Sequence, residues 1–291
     1  MVIDYIFMNI KKVFFTIIFL FYLNTKSKNY PDFNSAHVFF RNSSQNLDLF
    51  RDIYRKNNLN VLKPKTQAII PLKIHQIWIG PKPLPEKFKW MIKSWQEKHP
   101  NWEYKLWTNE DLKYFKLINQ EAFDKAQNWG AKSDIFRLEI LKKFGGVYVD
   151  IDFECLKSLD ILHHTYKFYC GVIIGDDVLA NGIMGCISEH PIINEYISRI
   201  KISSNFSALN WHDGTDILKT TGPYMFTDVF LKYINIESNQ ERIIALPSSY
   251  FFPFPATSRE EFWLNKVTRN EVEKYFKDES FGVHYWATSW Q

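Results

Sequence analysis

Ser133-Asp-Ile-Phe-Arg-Leu-Glu-Ile-Leu-Lys-Lys-Phe144, then Gly145-Gly146, then Val147-Tyr-Val-Asp-Ile-Asp152: this run decides the fold. Its first part sets Ile135, Leu138 and Leu141 at helical spacing and ends on Lys142 and Lys143, cations that suit the negative end of a helix. The glycines that follow supply the left-handed backbone on which helices end. The texture then turns apolar and β-branched, so a helix leads directly into a strand. Upstream, Lys73-Ile-His-Gln-Ile-Trp-Ile79 reads as a strand running into Gly80-Pro81. Phe88 to Lys98 has helical spacing and closes at His99-Pro100, and Trp102-Glu-Tyr-Lys-Leu-Trp107 alternates as a second strand, with Asn109 placed to cap the next helix. Strands alternating with helices predict an α/β domain with a mostly parallel central sheet.

The whole chain is 291 residues, long enough for a sizeable core, with 46 % hydrophobic and 23 % charged residues. Its net charge of +4 is spread out, and no dense Lys or Arg run argues for nucleic acid. Cys155, Cys170 and Cys186 form no zinc spacing and read as buried thiols. Near the N-terminus, Lys11 and Lys12 precede the apolar Val13 to Leu23, which is followed by polar residues. Residues 1–23 are expected to be a signal-anchor or a signal peptide. The positive flank predicts a single-pass type II membrane protein or, after cleavage, a secreted or lumenal one. Two Asn-x-Ser sequons, at Asn42 and Asn205, would then face a glycosylating lumen. The polar stretch 24–70 reads as a stem, and 71–291 as the catalytic domain.

Asp150 and Asp152 stand two apart at the end of the central strand, where alternate residues share a side. Ligands of open α/β sheets bind beyond the carboxyl ends of strands. Adjacent carboxylates repel unless a cation sits between them, so a hard divalent metal suits the pair. Such a metal neutralises a nucleotide diphosphate leaving group. Asp134 and Arg137 share a face of the preceding helix and are folded back toward the same strand end. Arg137 offers a planar fork for phosphate or sugar hydroxyls, and Asp134 an acceptor for sugar hydroxyls. At the other end of the chain, His284 in Gly282-Val-His-Tyr-Trp-Ala-Thr-Ser-Trp290 is a nitrogen donor that could complete a metal shell, favouring Mn²⁺ over Mg²⁺.

The run Ala131-Lys-Ser-Asp-Ile-Phe-Arg137 through Gly145 to Asp152 resembles the signature of glycosyltransferase family 32, which includes fungal Golgi and sphingolipid mannosyltransferases. The clostridial glucosylating toxins are similar in the same segment. Ile74 to Gly80, Ser94-Trp95 with Pro100, Asn181 to Met184 before His190-Pro191, Thr221-Gly-Pro223 and His284 to Trp290 agree in order. The resemblance implies a GT-A fold, that is, a Rossmann-like nucleotide-sugar-binding domain, with Mn²⁺ or Mg²⁺ and retention of anomeric configuration. It places Trp78 over the donor base, Asp134 and Arg137 on the donor sugar and phosphate, and Tyr148 and Asn181 beside them. Ser289 and Trp290 resemble residues that close over the diphosphate. The expected activity is transfer of a hexose from a nucleotide sugar to a glycan, lipid or protein. The Ile-Trp-Ile-Gly strand leans toward a UDP-sugar over GDP-mannose, and membrane contact is expected through the N-terminal segment.

Two other readings compete. Val147 to Asp152 resembles the nucleophile strand of haloacid-dehalogenase phosphotransferases, but Glu154 stands where that motif expects Thr or Val. A non-catalytic sugar-nucleotide-binding relative should have lost a carboxylate, and both are present. No Gly-rich phosphate loop is found.

Overall fold

The computed structural model describes residues 29–37, 44–173, 175, 177–202 and 215–287. The apolar run Val13 to Leu23, both sequon asparagines, Ser289 and Trp290 lie outside the described residues. Among the described residues, no helix is long and apolar enough to cross a membrane.

The elements that position the site are, in chain order, α1 (Gln45–Asn57), β1 (Lys73–Ile77), α2 (Lys89–Lys98), β2 (Glu103–Trp107), α3 (Trp129–Phe144), β3 (Gly146–Val149), β4 (Phe153–Cys155), β5 (Phe168–Val172), β6 (Leu179–Cys186), α4 (Pro191–Ile202), α5 (Thr215–Thr220), α6 (Pro223–Ile234), β7 (Ile243–Leu246) and β8 (Gly282–His284). A six-stranded sheet runs in the order β2-β1-β3-β6-β5-β7. Strands β1, β2 and β3 are mutually parallel, and so are β5 and β7. Only β6 runs against both of its neighbours. The mostly parallel sheet read from the sequence therefore forms. Strands β3, β5, β6 and β7 are buried at every position, as expected where helices cover both faces.

The decisive run folds as read, with a longer helix. The Asn128 side chain accepts from Gly130 N and starts α3 a turn earlier. The helix ends at Gly145, whose φ of 60° and ψ of −156° are open essentially only to glycine. At Gly146 a Cβ would stand 2.7 Å from Lys73 O, so β3 can approach β1 only because that side chain is missing. His75 Nε2 donates to Gly145 O at 2.9 Å, and Trp107 Nε1 donates to His75 Nδ1 at 3.2 Å. These two bonds select one neutral tautomer of His75 and brace the turn. Because α3 is packed against β1 and β3 on one side and α4 on the other, it buries Asp134, Arg137 and Glu139 along with its apolar positions.

Two expectations are corrected. The central strand stops at Val149: Asp150 N still donates to Gly182 O at 2.8 Å, but Phe153 N then bonds Asp150 O and turns the chain out of the sheet. The cap of the helix after β2 is Thr108, in a capping box with Asp111, while Asn109 instead bonds both N and O of Gly80. Within the stretch 24–70, Phe33, Ala36 and helix α1 pack into the core. Helix α1 buries Leu47, Phe50, Ile53 and Tyr54, and Asn57 Nδ2 ties it to Ile243 O on the edge strand β7 at 2.8 Å. The thiols of Cys155, Cys170 and Cys186 are free and buried, as expected.

Candidate active site

A cavity of about 450 Å³ opens beyond the C-terminal ends of β1 and β3, the end where parallel sheets bind ligands. Trp78, directly after β1, and Asp150, directly after β3, both line it. Trp78 is half-buried and fixed, for its Nε1 donates to Lys82 O at 2.9 Å. Gly80, two residues on, has a φ of 117°, and a Cβ there would meet the Trp129 ring at 3.0 Å. Trp129 thus forms a second aromatic part of the lining, at the start of α3.

Asp150 is held from several directions. Tyr148 Oη donates to its Oδ1 at 2.7 Å, and Arg137 Nη1 lies 3.2 Å from the same oxygen. Gln76 Nε2 donates to the Asp150 carbonyl at 3.1 Å, and Gln76 Oε1 accepts from Tyr104 Oη at 2.8 Å. Asp150 also needs the bare backbone of Gly182, since a Cβ there would stand 2.6 Å from Oδ2.

Asp134 and Arg137 reach the same strand end, as read. Arg137 Nη2 lies 2.9 Å from Asp134 Oδ1, Nη1 donates to Asn181 O at 2.6 Å, and the guanidinium sits 4.4 Å over the Tyr148 ring. Asp134 also accepts from Asn181 Nδ2 at 2.9 Å and from Thr221 Oγ1 at 3.0 Å. Burial pushes the Asp134 carboxyl up to about 7, against the pull of Arg137 and its two hydrogen bonds. The fork expected on phosphate is largely engaged by the protein, so the pair's visible work is to hold Asp150 and Asn181 in place.

Asp152 comes to the site by a different route. Strand β4 pairs antiparallel with β8 in a small second sheet, Phe153 opposite His284. His284 Nε2 thereby lies 3.0 Å from Asp152 Oδ1, while Ala287 N donates to Oδ2 at 2.6 Å. Burial opposes charge on both groups. Even so, the mutual pair and the Ala287 bond hold Asp152 below the usual carboxylate range, and the two aspartates hold His284 above the usual imidazole range.

Ligand atoms of Asp150, Asp152 and His284 lie within 4.8 Å of one another. Two carboxylates and an imidazole suit a divalent ion with mixed oxygen and nitrogen preference. His284 Nδ1 is buried without a hydrogen-bond partner, an orphan that a ligand on the ring would explain. The donor set fits a metal.

Residues 85–169 match the family model described as "Glycosyltransferase sugar-binding region containing DXD motif". The DXD of that description is Asp150-Ile-Asp152. Residues 85–169 are similar to the sugar-binding region of the DXD glycosyltransferases. The chain is 28 % identical over 198 residues to inositol phosphoceramide mannosyltransferase 3 of Schizosaccharomyces pombe, covering 66 % of this chain and 52 % of that one. It is 26 % identical over 194 residues to an uncharacterized glycosyltransferase of Acanthamoeba polyphaga mimivirus, covering 64 % of this chain and 74 % of the other. It spans about half the length of the fission-yeast relative. The catalytic domain of alpha-toxin from Clostridium novyi aligns over 87 % of this chain and 94 % of its own with a TM-score of 0.50 at 9 % identity, a likeness of fold. The expected resemblance and the GT-A fold class are borne out.

Of the residues read from the sequence, Asp134, Arg137, Tyr148, Asn181, Trp78, Asp150, Asp152 and His284 all line the cavity. Sequence reading missed Gly182, Gln76, Thr221 and Trp286. Trp286 packs on His284 with ring centroids 4.3 Å apart and bonds Phe254 O through Nε1 at 2.9 Å. Its φ of 53°, uncommon for a bulky residue, marks a constrained backbone next to the site. Thr221 and Gly182 stood in the motifs of the resemblance, where their neighbours drew the attention.

Proposed function

We propose that this chain is a metal-dependent glycosyltransferase that moves a hexose from a nucleotide-sugar donor to a hydroxyl of a glycan, lipid or protein. The observation that carries the reading is the convergence of Asp150, Asp152 and His284 at the cavity floor. These three would hold Mn²⁺ or Mg²⁺, which when bound offsets the charge developing on the departing nucleotide diphosphate. The indole of Trp78, anchored at Lys82 O, offers a face on which a nucleobase can stack. Asp134 and Arg137 shape the floor on the side of Asn181, where the donor sugar would lie.

Retention of anomeric configuration is part of the proposal, with the acceptor attacking from the face the nucleotide leaves. It predicts product and donor of the same anomeric form. The mannosyl transfer in the yeast relative's name supports GDP-mannose as a donor to test beside the UDP-sugars, and its phosphoceramide supports a lipid among the acceptors. We place the protein in the secretory pathway, with Val13 to Leu23 as a type II anchor. Glycosidase digestion and carbonate extraction after eukaryotic expression test that placement, and recovery in the cytosolic fraction would overturn it.

The donor is found by thermal shift with UDP-, GDP- and CMP-sugars in the presence of Mn²⁺. A ligand at about 100 times its Kd adds about 2.7 kcal/mol of stability, enough to move the melting point by degrees. No shift with any of them would remove the nucleotide-sugar reading.

A further inference from the structure

The two-stranded sheet that sets Asp152 beside His284 is very short: three residues in β4 and three in β8. A ladder of that size is marginal by itself, and what holds it in register is therefore of interest. Its outer supports are plain. Trp95 Nε1 donates to Phe153 O at 2.8 Å, Ser94 Oγ accepts from Cys155 N at 2.8 Å, and Trp263 Nε1 donates to Tyr285 O at 2.7 Å. Those bonds tie each strand outward. Asp152 itself reaches His284 and Ala287, and the Phe153 ring stacks on His284 with centroids 4.8 Å apart. One more link, away from the metal ligands, runs through a buried carboxylate.

Glu154, two residues after Asp152, is only 7 % exposed. It accepts from Tyr285 Oη at 2.7 Å, and Tyr285 directly follows His284. It also takes the guanidinium of Arg269 broadside, with Nε at 3.0 and 3.1 Å and Nη2 at 2.5 Å. Arg269 is itself anchored, at the head of a turn capped by Thr268, beside Glu273 and 5.2 Å over the Phe276 ring. A buried carboxylate is costly unless it is paired and hydrogen-bonded, and nothing in the chemistry of transfer needs this one.

We infer that Glu154 and Arg269 are positioning residues, a clamp that fixes the distance between the metal ligands Asp152 and His284 by locking β4 to the segment after β8. The inference rests on the metal reading proposed above. Groups of this kind, one step behind the ligands, usually change metal affinity more than they change the fold.

The test is direct Mn²⁺ binding to the full chain, read by electron paramagnetic resonance, together with melting curves. Glu154→Gln and Arg269→Ala are each expected to weaken Mn²⁺ binding roughly tenfold or more. Metal-free nucleotide binding should stay within twofold of wild type, and Arg269→Lys should recover part of the loss. If Glu154→Gln does not fold, the Arg269 variants carry the test, since that side chain is partly exposed. Wild type that takes up no Mn²⁺ would sink the metal reading and this inference with it. Wild type that binds Mn²⁺, beside folded Arg269→Ala that binds it equally well, would overturn the clamp and leave the metal reading standing. A lowered melting point with unchanged Mn²⁺ affinity likewise overturns it, for that is the mark of a merely structural pair.

Discussion

A Cβ built on Gly182 stands 2.6 Å from Oδ2 of Asp150, on the strand whose carbonyl at that same residue accepts from Asp150 N at 2.8 Å. The first carboxylate of the DXD sequence is therefore seated against bare backbone. Gly182→Ala should push it out of line with Asp152 and His284. A displacement near 1 Å can cost roughly 100-fold in rate, whereas crowding one methyl group costs about 1–3 kcal/mol of stability. Donor turnover and melting should be compared in this variant. Turnover near wild type would show that Asp150 is not held by this contact.

Arg137 joins Asp134 through Nη2, and Asp150 and the Asn181 carbonyl through Nη1, of one planar fork. An ammonium cannot span the three. Arg137→Lys is expected to lose at least roughly tenfold in turnover, and Arg137→Ala to lose about 3–5 kcal/mol of stability as well, because it strands a buried carboxylate. Steady-state kinetics and denaturant titration check both. Wild-type rates in Arg137→Lys would reduce the residue to an ordinary ion-pair partner.

Trp78→Ala should weaken nucleotide binding by about 1–3 kcal/mol, the range for stacking a base on an aromatic ring. Calorimetric titration with free UDP and GDP in Mn²⁺ decides it. Unchanged affinity would leave Trp78 as packing against Phe88, with which its ring makes a tilted contact at 5.8 Å.

The buried histidines predict the acid limb of stability. Burial lowers His75 and His190 from 6.5 to about 4, and lowers His99 and His163 as well. Between those values the unfolded chain binds protons that the folded chain refuses, so stability is fully present above pH 6.5 and is lost as pH falls toward 4. His75 and His190 would each account for on the order of 3 kcal/mol at the end of that window. Asp134 and Glu139, raised by burial, and His284, raised by Asp152, work in the opposite sense and are outnumbered by the four histidines. Denaturant midpoints should already drop between pH 6.5 and 5, above the range where ordinary carboxylates titrate. A flat profile there would contradict the neutral tautomer that Gly145 and Trp107 impose on His75.

The parts of this site that were legible in the sequence are those set by local rules. Helix α3, the glycine turn and the direction of β3 follow from periodicity and from a backbone that only glycine adopts. The aspartates were found, but not the way they meet. They converge through a turn and a second small sheet, and not through the alternation of one strand, because β8 lies about 130 residues away and its pairing leaves no local mark. The role of Gly182 is equally non-local, as is the packing of α1, whose Tyr54 Oη meets Tyr250 Oη at 2.9 Å. A polar, Asn-rich stretch looks like a tether until the strand edge it covers is known. Arg137 shows a further limit: spacing placed it at the site, but only the fold shows that its fork is engaged by protein groups.

The central claim is that Asp150, Asp152 and His284 hold a metal for nucleotide-sugar cleavage. It is tested most directly by donor hydrolysis and transfer measured against Mn²⁺ concentration, for wild type, Asp150→Ala and Asp152→Ala. The account predicts a wild-type rate that saturates with Mn²⁺ and vanishes in EDTA, and variants with native melting curves and a few per cent of activity at most. A rate indifferent to EDTA, or either variant turning over donor at close to the wild-type rate while folded, would contradict it.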